Sequence, residues 1–272
     1  MAQTLRNHIR STITTTLILA AFIAEAQKVQ THQSLVWYAN TTTIKLTDRW
    51  AVSFDVQERR FVGPGAQHQF LVRPTVIRDL GSGWDLGMGG CVFWQSPQDP
   101  LSTSTLVVPE LRPHMELNER QKLKYFRFNQ RYKIEARFFH NVVDNELVEG
   151  YTFGNLRFRY RAGIDLPLIK SSGKGPERLT LRLNDEILIN VGEKIVANTF
   201  DNNRAYIGLA TNITPALGLE VGYLNWFQER SNGKDFYNRN ILRIALSQKI
   251  DMGRHAHTPA NDPPKGWDTG IL

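Results

Sequence analysis

The sequence predicts an all-β chain, folded as a transmembrane antiparallel β-barrel of 10–12 strands in a closed up-and-down meander. Three observations carry that prediction. Long stretches alternate apolar and charged residues with period two. No run of about 18 apolar residues follows the N-terminal segment, so no helical membrane span is present. Connections between the alternating stretches are short and long in turn, as in barrels with tight turns at one rim and larger loops at the other. The clearest stretch is Leu123 to Phe139. Phe126, Phe128, Tyr132, Ile134, Ala136 and Phe138 share one face there, interrupted by Gln130, while Arg127, Asn129, Arg131, Lys133, Glu135 and Arg137 share the other. Side chains on a strand alternate faces, and a helix would mix the two sets.

The N-terminus reads as an export signal over residues 1–26. Arg6 and Arg10 give a basic start, Leu17 to Ala24 an apolar core, and Ala24-Glu25-Ala26 a small-x-small cleavage site. Residues 27–250 then form the barrel, and the polar segment 251–272, with three prolines, reads as a disordered periplasmic tail. The formal charge is +7, but the arginines sit inside strands and not in runs. That distribution argues against a nucleic-acid partner, which would draw basic residues into one patch. A lone cysteine, Cys91, excludes an internal disulfide and a cysteine metal site, and no cofactor is expected.

Eleven candidate strands follow in order. Ser34–Ile44 is β-prone but poorly alternating. Trp50–Arg59 alternates cleanly and ends at a Gly-Pro-Gly loop. Gln69–Val76 contains Pro74, which cannot donate to a ladder and therefore implies a bulge. Trp84–Gln95 places two tryptophans ten residues apart on one face. On a strand tilted by about 40° that spacing is about 25 Å of barrel height, the height of an apolar band between aromatic girdles. Glu110–Asn118, Leu123–Phe139, Asn155–Leu166 and Arg178–Asn190 continue the alternation, with Asp185 alone out of pattern on the apolar face. Asn203–Asn212, Ala216–Gln228 and Asn240–Ile250 complete the set. His140 to Gly150 reads as a long loop. Loops around Pro64, Pro100, Asn145, Ala197 and Gly233 are assigned to the cell exterior. Bacterial single-chain barrels are even-numbered, so eleven candidates imply ten strands with Ser34–Ile44 outside the wall, or twelve with one unrecognised.

Periodicity alone does not say which face meets which solvent. Strand length, the Arg-rich charged face, the export signal and the aromatic strand ends favour apolar side chains against lipid and charges in the lumen. The chain also resembles a known family. The motifs are LTDRW at Leu46–Trp50, FLVRPTV at Phe70–Val76, PELRPHMEL at Pro109–Leu117, RFNQRYKIEAR at Arg127–Arg137, LRFRYR at Leu156–Arg161, NDEILIN at Asn184–Asn190, DNNRAYIGL at Asp201–Leu209 and LEVGYLN at Leu219–Asn225. In this order they are similar to the domain-of-unknown-function family 2490 (DUF2490). The resemblance implies an outer-membrane barrel without assigned activity, of a family found mainly in Bacteroidota. The chain departs from the family in continuing about 22 residues past its last strand and in lacking a terminal aromatic at Ile250.

A lumen-facing charged network is expected from Arg59, Arg73, Glu110, Arg112, Glu116, Arg127, Arg131, Glu135, Arg137, Arg157, Arg159, Arg182, Glu186 and Arg204. Lys133, Arg161, Arg243 and Glu220 join it on the same alternation. In a narrow barrel such charges must be paired or solvated. The leading expectation is a non-enzymatic, structural or surface-interaction barrel in the cell outer membrane. Its partners would be outer-membrane lipid, lipopolysaccharide and the barrel-assembly machinery. One alternative uses the Arg excess as a narrow anion-selective channel or a site for a small anionic solute. A second is a lipid-modifying enzyme built on His114 or His140, for which no Ser partner is visible in the sequence.

Overall fold

A computed structural model describes residues 28–169, 177–193, 195 and 198–252. The export-signal segment, Ala197 and residues 253–272 of the tail lie outside these. Thirteen strand segments build the wall: β1 (Gln30–Lys45), β2 (Trp50–Phe61), β3 (Gln67–Gly81), β4 (Trp84–Gly89), β5 (Val92–Gln95), β6 (Val108–Leu111), β7 (His114–Lys122), β8 (Arg127–Val143), β9 (Glu146–Ile169), β10 (Leu179–Val191), β11 (Phe200–Asn212), β12 (Leu217–Glu229) and β13 (Phe236–Asp251). β4 and β5 both pair with β3, and β6 and β7 both pair with β8, so each couple is one interrupted stave. The wall therefore has eleven staves, closed on itself.

Closure is made by β1, which pairs with β2 on one side and with β13 on the other. The β1–β13 ladder is parallel and in register from Gln30 opposite Phe236 to Lys45 opposite Asp251. This corrects both sequence-based alternatives: the first candidate strand is not outside the wall, and no twelfth is needed. Each strand of a meander reverses direction, so in an odd-numbered barrel the first and last run the same way. A parallel ladder is only slightly less stable per residue, so the seam closes without an even count. In consequence the two ends of the barrel chain sit at opposite rims. Gln30 lies at the rim that carries Pro64, Pro100, Asn145 and Gly233, and Asp251 lies at the rim of the short turns.

The side chains are distributed inside out relative to a water-soluble domain. Phe54, Val76, Met88, Tyr132, Phe158, Ile207, Val221 and Leu242 are exposed around the whole circumference, Met88 at 56%. Arg59, Arg131, Arg157, Glu135 and Glu186 are buried, and Arg243 is 1% exposed. Apolar surface turned outward and charge turned inward is the arrangement that a lipid solvent rewards and water penalises.

Prolines explain the two interrupted staves. Gly90 donates to the Pro74 carbonyl, so the edge of Pro74 that lacks a donor faces the break between β4 and β5. Pro113 occupies the break between β6 and β7, where its carbonyl accepts from Ala136 of β8. Arg112 and Cys91 exchange backbone hydrogen bonds across the two breaks at 2.8 and 3.0 Å, holding the staves together. Segment His140–Gly150 is not a long loop. β8 and β9 continue past the rim and meet in a two-residue turn at Asp144-Asn145, with φ of 49° and 62°. Asp and Asn tolerate that left-handed backbone, which suits the twist of a hairpin. Asp185 does lie on the outer face, where it accepts a 2.8 Å hydrogen bond from Asn203 of the next strand.

The seam register gives a direct test. Ala39 and Ala245 are opposed across β1 and β13 and both face inward. In a Cys91→Ser background, Ala39→Cys with Ala245→Cys should form a disulfide on mild oxidation, because neighbouring strands hold Cα atoms within bridging distance. Thr43→Cys with Ala245→Cys, four residues out of register, should remain reduced. Mass spectrometry of the oxidised proteins distinguishes a parallel seam from an open or shifted one.

Candidate functional site

The long central strands set the problem of the lumen. β8 and β9 place Arg131 opposite Arg161 and Lys133 opposite Arg159. Like charges directly opposed destabilise a sheet, so carboxylates from elsewhere must reach between them. Glu135 takes two bonds from Arg157, at 2.6 and 2.9 Å, and one from Arg159 at 3.0 Å. Glu186, from β10, accepts from Arg159 at 2.9 Å and from Arg131 at 2.5 Å. Arg159 thus bridges two carboxylates, and Lys133 is tied to Glu116 of β7 at 3.1 Å. This centre is buried and crosses the lumen from β7 to β10.

Further pairs extend it to both rims. Towards the long loops, Glu110 is held bidentately by Arg112, at 2.7 and 2.6 Å, and again by Arg137 at 2.6 Å. Asp201 takes Arg157 at 3.2 Å. Towards the short turns, Arg127 reaches Glu177 at 2.7 Å and Asp165 at 3.6 Å. Arg182 bonds Glu220, which also takes Arg243 at 2.6 Å and the Tyr206 hydroxyl at 2.7 Å. Arg73 bonds Asp55, and Arg120 bonds Asp85. Arg59 and Arg204 lie apart from these pairs, near Trp37 and Trp226.

The opposite wall, made by β1, β2 and β11–β13, sets an apolar cluster among its inward charges. Leu35, Trp37, Phe61, Tyr206, Leu224, Trp226 and Ile241 form one cluster there. Gly208 and Gly222 leave room for the Tyr206 ring: a Cβ on either would fall within 2.4 Å of its hydroxyl. The space left is uneven. At mid-lumen, around Glu135, Arg159, Glu186 and Trp37, a void of about 30 Å³ remains. At the long-loop rim the lumen widens into a cup of about 870 Å³, lined among others by Arg59, Phe93, Gln98, Asp201, Arg204 and Trp226.

The family model described as protein of unknown function (DUF2490) matches residues 35–238. The chain belongs to this family. Among solved structures, a NanC porin in a rhombohedral crystal form is similar at 13% sequence identity and a TM-score of 0.48, covering 79% of this chain and 98% of that one. No curated protein sequence matches.

The DUF2490 barrel places all fourteen of the network residues inside its wall and joins most of them into the pairs above. Besides Glu177, which lies just before β10, four acidic partners were not named in the network from the sequence: Asp55, Asp85, Asp165 and Asp201. Each sits at an inward position of a strand whose alternation was visible or, for Asp201, beside a register shift where two successive residues are buried. Extending the period-two pattern would have found the first three. The inward Trp37 and Trp226 were missed because apolar residues occupy both faces of their strands, and Arg239 because Glu229 to Arg239 reads as a long loop, whereas β13 begins at Phe236. The two histidines stand apart from each other. His114 Nε2 lies 3.1 Å from the Thr75 hydroxyl, and His140 Nδ1 lies 3.2 Å from the Asn141 carbonyl, with its ring edge-on to Tyr151. No group of three or more His, Cys, Asp or Glu residues able to hold a metal ion occurs among the described residues.

Removing one carboxylate from the centre should be costly. Glu135→Ala leaves Arg157 and Lys133 buried with weakened partners, a loss of about 3–5 kcal/mol. Urea unfolding in detergent or liposomes should show a clearly lowered midpoint. Asp48→Ala, which removes the exposed partner of Lys45, should leave the midpoint nearly unchanged.

Proposed function

We propose that this chain is a bacterial outer-membrane barrel that neither conducts nor catalyses. Its middle is a cross-linked plug, and its long-loop mouth is its interaction surface. The observation that carries this reading is the mid-lumen void of about 30 Å³, room for roughly one water. Bridged carboxylates close one side of the lumen there, and the Trp37–Leu224 cluster closes the other. A solvated ion would need several of these buried pairs to part together.

The exposed apolar circumference fits contact with acyl chains, and closure of the wall leaves no unpaired strand edge for lipid to meet. Outer-membrane lipid and lipopolysaccharide are therefore the lateral partners, after export and insertion by the barrel-assembly machinery. The non-enzymatic reading is supported by the neighbours of the two histidines: His114 faces the Thr75 hydroxyl, but its Nδ1 has no acceptor to orient the ring, and His140 meets a backbone carbonyl. The rim of long loops faces the cell exterior in this reading, and Asp251 faces the periplasm.

Planar bilayers test the plug. The purified protein should insert without conductance steps, and stable steps from the wild-type chain would overturn the reading. Orientation is tested separately. An epitope inserted after Lys28 should bind antibody on intact cells, and one inserted after Asp251 only after the outer membrane is permeabilised. Both epitopes reacting on the same side would contradict an eleven-stave wall.

A further inference from the structure

We propose that the cup at the long-loop mouth is a binding site for a small solute carrying an oxyanion, seated against the guanidinium groups gathered around Trp226. The inference deepens the reading above and rests on it only in taking the mouth to be open to solute.

Three arginines surround one indole, and two of them, Arg59 and Arg204, line the cup with it, while Arg239 is buried outside the lining. Their guanidinium carbons stand 4.6 Å (Arg204), 4.8 Å (Arg239) and 5.4 Å (Arg59) from the ring centroid. All three are buried, Arg239 completely. None has a carboxylate of its own. Arg239 donates only to neutral amides, Gln33 at 2.7 Å, Gln228 at 2.5 Å and Gln98 at 2.7 Å. Arg59 likewise bonds Gln57 and Gln69. Arg204 makes no hydrogen bond among the described residues. Its nearest carboxylate, Glu186, is 3.8 Å away and already bonded to Arg131 and Arg159.

The rest of the lumen is built differently. Across the same cup, Glu110 sits between Arg112 and Arg137, and Asp201 takes Arg157. One wall is neutralised and the other is left cationic. Burying charge without a partner is expensive, and stacking on an indole recovers only part of that cost. Orphaned polar atoms mark the same cup: Arg59 Nε, Arg204 Nε, Trp226 Nε1, Asn202 Oδ1 and Glu229 Oε1 are buried without a hydrogen-bond partner. Three of the five are donors, and they are the ones on the two lining arginines and the indole. A cluster of donors and uncompensated positive charge at the wall of an open cavity is the complement of a carboxylate or phosphate, which guanidinium groups bind in a fork.

The cavity also describes the body of the ligand. About 870 Å³ suits a small molecule and is too confined for a folded partner. Gln95, Gln98, Asn155 and Asn190 line the cup beside Phe93. Amides exchange hydrogen bonds with hydroxyl groups, and the ring offers a flat apolar face. A polyhydroxylated organic anion fits both. Because the site lies inside the wall, its source is free solute and not a lipid headgroup.

The test uses the full chain in detergent micelles, titrated with glucuronate, glucose 6-phosphate and inorganic phosphate, with neutral glucose for comparison. Isothermal titration and indole fluorescence read the binding. At least one anion should bind saturably and glucose should not, and raised salt should weaken the binding. Arg204→Gln should lower the affinity at least tenfold. Gln98→Glu supplies the missing carboxylate from within, beside Arg239. It should weaken anion binding and raise the thermal unfolding midpoint, which keeps the proposal testable if the arginine variant folds poorly. Absence of saturable binding by every anion would overturn the proposal, as would binding unaltered by either substitution. Conductance in bilayers would instead defeat the plug and leave this site standing.

Discussion

The structure depends on the pairing of guanidinium with carboxylate inside a closed wall. Once the outer face is given to lipid, every charge on the strands must go inward, and the lumen has little water to solvate it. Each inward arginine then needs a partner within about 4 Å or carries a desolvation cost of several kcal/mol. The register of β8 against β9 makes this acute, because it stacks cations on cations. Glu186 from β10 and Glu116 from β7 resolve it only if those strands lie on either side of the β8–β9 pair. Ion pairing and strand order are therefore one constraint: a register slip of one residue on β10 would turn Glu186 to lipid and leave Arg131 and Arg159 opposed without a carboxylate.

The seam is held by other forces. Along β1 the inward residues are apolar or hydroxylic, so the ion pair between Arg243 of β13 and Glu220 of β12 has no counterpart across the seam itself. Packing does so instead. Trp37 and Leu35 of β1 lie against Leu224 and Trp226 of β12 and Ile241 of β13. The same cluster faces the ion pairs across the mid-lumen, where a void of about 30 Å³ lies among Trp37, Glu135 and Glu186. A parallel pairing of first and last strands suits this arrangement, since its length gives the apolar cluster a continuous backing.

Legibility in the sequence followed contrast between faces. On β8, β9 and β10 one face is aromatic or aliphatic and the other charged, and their inward residues could be named individually. On β1 and β12 both faces are apolar over several positions, alternation fades, and the inward tryptophans went unread. The strand number was counted correctly from candidates, yet the even-number expectation pulled the reading to ten or twelve, because direction at the seam is set by chain count and not by any local residue. The turn at Asp144-Asn145 was hidden by polar residues on both sides, His140-Asn141 and Glu146, which look like loop until the two strands are known to project past the rim together. Asp185 shows the limit of pattern alone. Its partner Asn203 is on another strand, and only register brings them together.

The distribution of charge along the axis is not uniform, and the difference has a physical cause. At mid-lumen and towards the short turns the cations named above have carboxylates in contact, as they must where water is excluded. At the mouth, where the cup admits water, the constraint relaxes: Arg59 and Arg239 stand with amides in place of acids, and Arg204 stands over an indole with only a shared carboxylate, Glu186, at 3.8 Å. Water alone would not require them to converge. Solvated arginines repel one another and gain by spreading over the rim, whereas these three, on β2, β11 and β13, gather around Trp226, with Arg59 also over Trp37 and Arg239 over Tyr237. Arg204 and Arg239 flank Trp226 from the two strands next to its own, and the closing seam brings Arg59 of β2 to the same ring, so the convergence is a product of the whole fold.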